Sequence, residues 1–280
     1  MHPGRRSSRL ALLAVAAMLA MLGMPGPRVA ADQFDHDYAT YAGVLRSHVV
    51  PPRVDFAALA ADRAPLQRFI TELDSPASRG EPTWNREQRM AFWINAYNAF
   101  TLQAIVDHYP IQAGWLTRQP RNSIRQIDGV WTTLKWRAAG RFVTLDDIEH
   151  RILRPEFLDA RIHFAVNCAS VSCPPLAGEP YRARTLEAQL NVAARTYLAS
   201  AEGLQMSGRT IRVSSIFKWY GEDFIREYAG LARIEATPKE RAILGAVLKY
   251  GPAAAADLAG RGTAEIGYLD YNWALNDTER

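Results

Sequence analysis

The sequence predicts an α+β fold: a mainly helical single domain with a small mixed or antiparallel sheet around a buried central helix. Between residues 86 and 108, Met90, Phe92, Trp93, Ile94, Tyr97, Phe100, Leu102, Ile105 and Val106 occupy almost every face, the pattern of a helix buried nearly all round. Flanking segments repeat apolar residues at helical spacing on one face only, as covering helices do. Short apolar runs joined across Ala139-Gly140 and Ser207-Gly208 mark hairpins among the helices, not the regular strand–helix alternation of a parallel sheet.

Residues 1–31 stand apart from that fold. Arg5, Arg6 and Arg9 form a basic start, residues 10–24 an apolar run, and Val29-Ala30-Ala31 a small-residue cleavage pattern. Together they read as a secretory signal peptide cut after Ala31. Pro25 and Pro27 end the run short of the roughly 20 apolar residues that a bilayer span needs, so no stable anchor is expected after cleavage. The mature protein is expected in the periplasm or secreted. Four of the chain's 33 lysines and arginines fall in this leader and none of its 29 acids does, so the remainder carries 29 of each sign. With no basic stripe left, nucleic acid is not an expected partner.

Residues 32–83 read as an N-terminal helical cover. Phe34, Tyr38, Tyr41, Val44, Leu45 and His48 recur at helical spacing and stop before Pro51-Pro52. Asp55 is placed to cap a second helix carrying Phe56, Leu59, Leu66, Phe69, Ile70 and Leu73, with a break between Asp62 and Pro65. Residues 84–276 form the core. In the central helix Asn95, Asn98 and Thr101 make a polar ridge. Buried amides have to be paired, either by tying backbone together or by orienting a catalytic group or ligand. The sequence then predicts a hairpin of residues 131–135 and 141–144, a short helix over 146–153 ended by Pro155, and a helix over 185–201. A second hairpin (204–206 with 210–213), helices over 238–250 and 253–258, and a strand at 266–269 follow. Glu149 and His150 are neighbours on the short helix and point about 100° apart, so they are not both expected to face one small site directly.

Residues 161–176 hold the chain's only two cysteines, with His163 and Asn167. The first half alternates, which predicts a strand with Ile162, Phe164, Val166 and Cys168 on the apolar face and His163, Ala165 and Asn167 opposite. Pro174 and Pro175 then push Cys173 into an extended loop. A strand opening into a loop is a common place for a site, and on this reading Cys173 is the favoured nucleophile and Cys168 a core residue.

Four blocks carry a resemblance. Phe92-Trp93-Ile94-Asn95-Ala96-Tyr97-Asn98-Ala99, Asp147-Ile148-Glu149-His150-Arg151-Ile152-Leu153-Arg154, His163-Phe164-Ala165-Val166-Asn167-Cys168 with Ser172-Cys173-Pro174, and Tyr268-Leu269-Asp270-Tyr271-Asn272-Trp273 resemble the domain of unknown function 547 family, over residues 84–276. The resemblance implies that Asn95, Asn98, Glu149, His150, His163, Asn167, Cys168 and Cys173 sit at motif positions. It implies no activity. Relatives often carry glycine where Arg151 and Ala169 stand here, and aspartate where Asn272 stands.

A cysteine nucleophile needs a base and a group to orient that base. Cys173 or Cys168, His163 or His150, and Glu149, Asn95 or Asn98 supply the residue types of a thiol-dependent hydrolase or transferase. Two lone cysteines in an oxidising compartment also fit a Cys168–Cys173 disulfide. That pair would serve a non-enzymatic binding or interaction module for a small-molecule or peptide ligand, or a thiol–disulfide redox protein. The Cys and His spacings match no familiar zinc pattern, so neither metal nor other cofactor is expected. The aromatic block at 216–224 reads as core with a glycine turn, or as a binding shelf.

Overall fold

The computed structural model describes residues 33–112, 117 and 119–278; the leader expected at 1–31 lies outside them. Helix α1 (Ala39–His48) buries Tyr41, Val44 and Leu45, and a minimal antiparallel pair, β1 (Val49–Val50) and β2 (Arg53–Val54), leads to the second covering segment. Asp55 caps α2 (Phe56–Ala61) by accepting the Ala58 N–H at 2.8 Å, and α3 (Ala64–Glu72) starts beyond the break that Asp62 and Pro65 mark in the sequence. A 3-10 turn (Ala77–Thr83) then sets the buried Glu81 carboxylate to accept from Trp93 Nε1 at 2.9 Å and Arg89 Nε at 2.7 Å.

Helix α4 (Arg86–His108) is the centre of the first core. An Asn85–Gln88 capping box opens it, and every residue from Met90 to Val106 is buried, as the all-round apolar pattern requires. The hairpin after it is shorter than the sequence suggests: β3 (Trp136–Ala138) pairs with β4 (Arg141–Val143), and residues 131–135 are turn and loop. Ala139 and Gly140 both have positive φ, 51° and 80°, and this two-residue turn fixes the register with Ala138 opposite Arg141.

Two expectations for the middle of the chain need correction. The helix expected to end before Pro155 is a π-helix (Asp147–Phe157) that runs through it. The wider turn relieves the clash between a proline ring and the preceding turn that stops an α-helix. The strand expected at 162–168 is a single helical turn, α5 (Ile162–Ala165), followed by irregular chain. Its alternation does not report a pleat, because the segment lies between two cores. Ile162, Ala165 and Val166 pack into the core around α4, while Ala160 and Phe164 pack into a second core.

That second core is built by α6 (Leu186–Leu198), β5 (Leu204–Ser207), β6 (Thr210–Val213), α7 (Ile216–Trp219), α8 (Gly221–Tyr228), α9 (Pro238–Tyr250), α10 (Ala253–Gly260) and β7 (Glu265–Tyr268). β6 pairs antiparallel with β5 and parallel with β7, so this three-stranded sheet is mixed. Gly245 lets α9 lie against α8: a Cβ there would stand 2.0 Å from the Tyr228 carbonyl oxygen. After β7 the tail returns across the molecule. Val171 N–H donates to Ala274 O at 2.8 Å, Ser172 N–H to Asn272 O at 3.2 Å, and Asn276 N–H to Ala169 O at 3.1 Å. The thiol segment is thus held between α4 and the C-terminal tail. Residues 34–280 form one compact unit, and among the described residues no helix is long and apolar enough to cross a membrane.

Candidate active site

Asparagines hold the site's backbone in place. Asn98 on α4 donates from Nδ2 to Ala165 O at 3.0 Å and accepts the Asn167 N–H at 2.8 Å, fixing the chain on both sides of Val166. Asn167 in turn donates to Pro174 O at 2.7 Å and accepts the Ala169 N–H at 2.9 Å, which closes the loop bearing both thiols. Ala169, buried at its bend, has φ 57°, a conformation that glycine adopts without strain. Asn95 exchanges two hydrogen bonds with the Tyr181 backbone, at 2.8 and 2.9 Å. Asn95 and Asn98 therefore each bond to backbone through both the amide nitrogen and the amide oxygen.

Glu149, His150, His163, Cys168 and Cys173 all line one cleft of about 490 Å³. Glu149 and His150 both line it, with different partners: Glu149 Oε1 lies 3.7 Å from His163 Nδ1, whereas His150 faces Arg154 and Asp146.

The sulfurs of Cys168 and Cys173 are both thiols, hydrogen-bonded to each other at 2.8 Å. The expected disulfide is not present, since a covalent bond would set them about 2.05 Å apart. Their surroundings differ. Cys173 is buried, 6% exposed, and accepts the Cys168 N–H at 2.8 Å; Cys168 is the more exposed of the two. The Cys168 sulfur has further partners in the hydroxyls of Ser170, 3.1 Å away, and Tyr271, 3.4 Å away. The hydrogen bond from Cys173, with help from those hydroxyls, outweighs burial and brings the Cys168 thiol down to about 7. Burial, reinforced by the neighbouring sulfur, pushes Cys173 well above the ordinary thiol range. The sulfur expected to be accessible is thus the more buried of the two.

His163, 2% exposed, stacks on Tyr220 with ring centroids 4.0 Å apart and donates from Nε2 to Asp223 Oδ2 at 2.7 Å. Its Nδ1 is buried without a hydrogen-bond partner, 3.7 Å from Glu149 Oε1. Asp223 also accepts from Arg154 at 2.6 and 3.2 Å. Burial opposes ionisation of Asp223, but the hydrogen bonds from His163 and Arg154 prevail and hold its carboxyl well below the usual range. Arg154 donates to His150 Nδ1 at 3.0 Å, and because guanidinium is only a donor the proton of neutral His150 sits on Nε2. Neither sulfur is hydrogen-bonded to an imidazole among the described residues.

A pH-dependent stability follows from Asp223. Its depressed folded pKa stabilises the native state fully above the unfolded carboxylate value of about 4, and the contribution is lost as pH falls from there toward the folded value. Asp223→Asn is expected to lower the thermal midpoint at pH 7, with a difference from the parent that shrinks below about pH 4. A pH-independent difference in paired melting curves would contradict this origin.

Asp223, Tyr271, Ser170 and the cleft's aromatic wall are absent from the sequence-derived set. Most of them lay inside features already noted: Ser170 in the stretch 161–176, Trp219, Tyr220 and Asp223 in the aromatic block 216–224, and Tyr271 and Trp273 in the C-terminal block. Trp131, Trp219, Tyr220, Tyr271 and Trp273 complete the lining, with the Arg125 guanidinium 4.7 Å above the Trp273 ring. Among the described residues no group of three or more His, Cys, Asp or Glu is arranged to hold a metal ion. The arrangement offers an acidified thiol beside a second thiol, and a separate carboxylate-oriented imidazole in the same cleft.

Comparison with known proteins finds one family model that matches part of the chain. Residues 82–198 match the family described as protein of unknown function, DUF547. The matched span contains the first three sequence blocks, including both cysteines, and the fourth block, at 268–273, lies beyond it. No curated protein and no solved structure matches the chain.

Proposed function

We propose that this chain, whose residues 82–198 match the DUF547 family, carries out thiol–disulfide exchange with Cys168 as the attacking thiolate and Cys173 as the resolving thiol. One observation carries the reading: two free sulfurs 2.8 Å apart, the more exposed one acidified and the buried one not. Dithiol oxidoreductases need this asymmetry, since a thiol with pKa near ambient pH attacks best and a covered partner waits to resolve. The Cys168 thiolate attacks one sulfur of a substrate disulfide, forming a mixed disulfide and releasing the other sulfur as thiolate. Cys173 then loses its proton to a base in the cleft and attacks the Cys168 sulfur. The Cys168–Cys173 bond forms and the second substrate thiolate leaves, so two electrons pass from the protein to the substrate. The leader-like residues 1–31 favour an exported setting, where such a pair meets oxidised partners.

Equilibration against graded mixtures of reduced and oxidised dithiothreitol tests this. Mass-resolved alkylation is expected to find molecules with two free thiols or none, following a two-electron curve. A population in which one cysteine is oxidised to something other than the intramolecular disulfide would overturn it.

A second reading rests on His163. An imidazole whose Nε2 is held by Asp223 and whose buried Nδ1 is unpartnered has the form of an oriented general base. That supports acyl transfer through Cys168, the hydrolase or transferase chemistry. The two readings part at Cys173, which exchange requires and acyl transfer does not.

A further inference from the structure

We infer that the aromatic cleft beside the thiols binds an extended polypeptide and presents one of its disulfides to Cys168; this rests on the exchange reading above. At the mouth of the cleft Trp219 is 48% exposed yet ordered against two other rings, with centroids 4.8 Å from Tyr271 and 5.9 Å from Trp273. Tyr271 and Trp273 are themselves 4.6 Å apart, so the three rings make one continuous wall. Rigid aromatic surface that the fold leaves open gives large contact area at low entropic cost, as in peptide-binding paratopes.

A second recess of about 430 Å³ adjoins the cleft, sharing Thr132, Asp146 and His150 with it, and is lined by polar and charged groups. Aromatic rings and a polar recess thus meet in one surface depression, with the Cys168 sulfur 3.4 Å from the Tyr271 hydroxyl of the ring wall. A small symmetric disulfide fills little of such a groove, and a sugar chain offers the thiols nothing to react with. A polypeptide supplies the sulfur, the apolar side chains and the polar backbone together, and a Phe or Leu beside its cysteine fits the ring wall.

The test separates recognition from chemistry. In the first arm, the full chain carrying Cys168→Ser is titrated with a fluorescein-labelled peptide containing Phe-Cys-Leu, its cysteine S-methylated, and anisotropy reports binding. Saturable binding is expected, weakened about ten-fold or more by a further Trp219→Ala and restored in large part by Trp219→Phe. In the second arm, the unsubstituted protein, reduced beforehand and in excess, is mixed with the same peptide as a disulfide and, separately, with glutathione disulfide, and single-turnover reduction is followed, the two thiols of each chain supplying the two electrons. Trp219→Ala is expected to lower the second-order rate constant about ten-fold for the peptide, in step with its weakened binding. No binding in the first arm, binding indifferent to Trp219, or saturation by a sulfur-free oligosaccharide in place of the peptide would overturn the inference, whatever the thiols do. Binding as expected with neither disulfide reduced would leave the peptide cleft standing and remove the exchange reading.

Discussion

Replacing Cys173 by serine is expected to turn a catalyst into a trap. Cys168 keeps its hydroxyl partners, Ser170 and Tyr271, and still attacks a substrate disulfide, but no second thiol stands 2.8 Å away to release the product. The variant should accumulate one covalently bound substrate fragment per chain and lose at least about 100-fold in the rate at which the second substrate thiol is released. The side chain is buried, and serine is close in size with an oxygen able to accept the Cys168 N–H, so the fold should lose no more than about 2 kcal/mol. Intact mass after brief exposure to a disulfide, run beside a melting curve, reads both effects. The result that contradicts the exchange reading is undiminished release of the second substrate thiol by a folded Cys173→Ser protein.

The largest effect on stability is expected from Asn98→Ala. The amide serves the Ala165 carbonyl and the Asn167 N–H, both in a segment buried between two cores. Truncation strands two buried backbone groups, each costing about 1–3 kcal/mol, so denaturant unfolding should show a loss of about 2–5 kcal/mol. The same change frees the loop that spaces the sulfurs, and Cys168 should then react more like an ordinary thiol wherever the variant remains folded. A loss under about 1 kcal/mol would mean that another group, or water, takes over these bonds, and the clamp would not be what sets the thiol geometry.

The parts of the molecule with one environment along their length were legible from sequence. α4 could be read residue by residue because its surroundings are uniformly apolar, and the break between Asp62 and Pro65 could be read because capping and proline act locally. The thiol segment was not, since its apolar residues divide between two cores and period two no longer reports a sheet face. Pro155 misled for a related reason: the proline rule assumes α-helical winding, and here the chain winds as a π-helix. The thiol loop is also tied to a tail about a hundred residues downstream, through the Asn272–Ser172 bond across 100 positions, which local spacing does not encode. Asp223, 60 residues from His163, and Tyr271, 103 from Cys168, likewise enter the site through tertiary packing that no local spacing encodes.

The alkylation rate of each cysteine against pH, followed by peptide mapping in the fully reduced protein, tests the central claim most directly. The account predicts that Cys168 reacts first, with a rate that rises through a midpoint near pH 7, about 1.5 units below a free thiol, while Cys173 stays slow up to pH 9. Tyr271→Phe should move the Cys168 midpoint upward by removing one donor to its thiolate. Equal rates with ordinary thiol profiles at both positions, or a faster Cys173, would contradict the asymmetric pair on which the proposed chemistry depends.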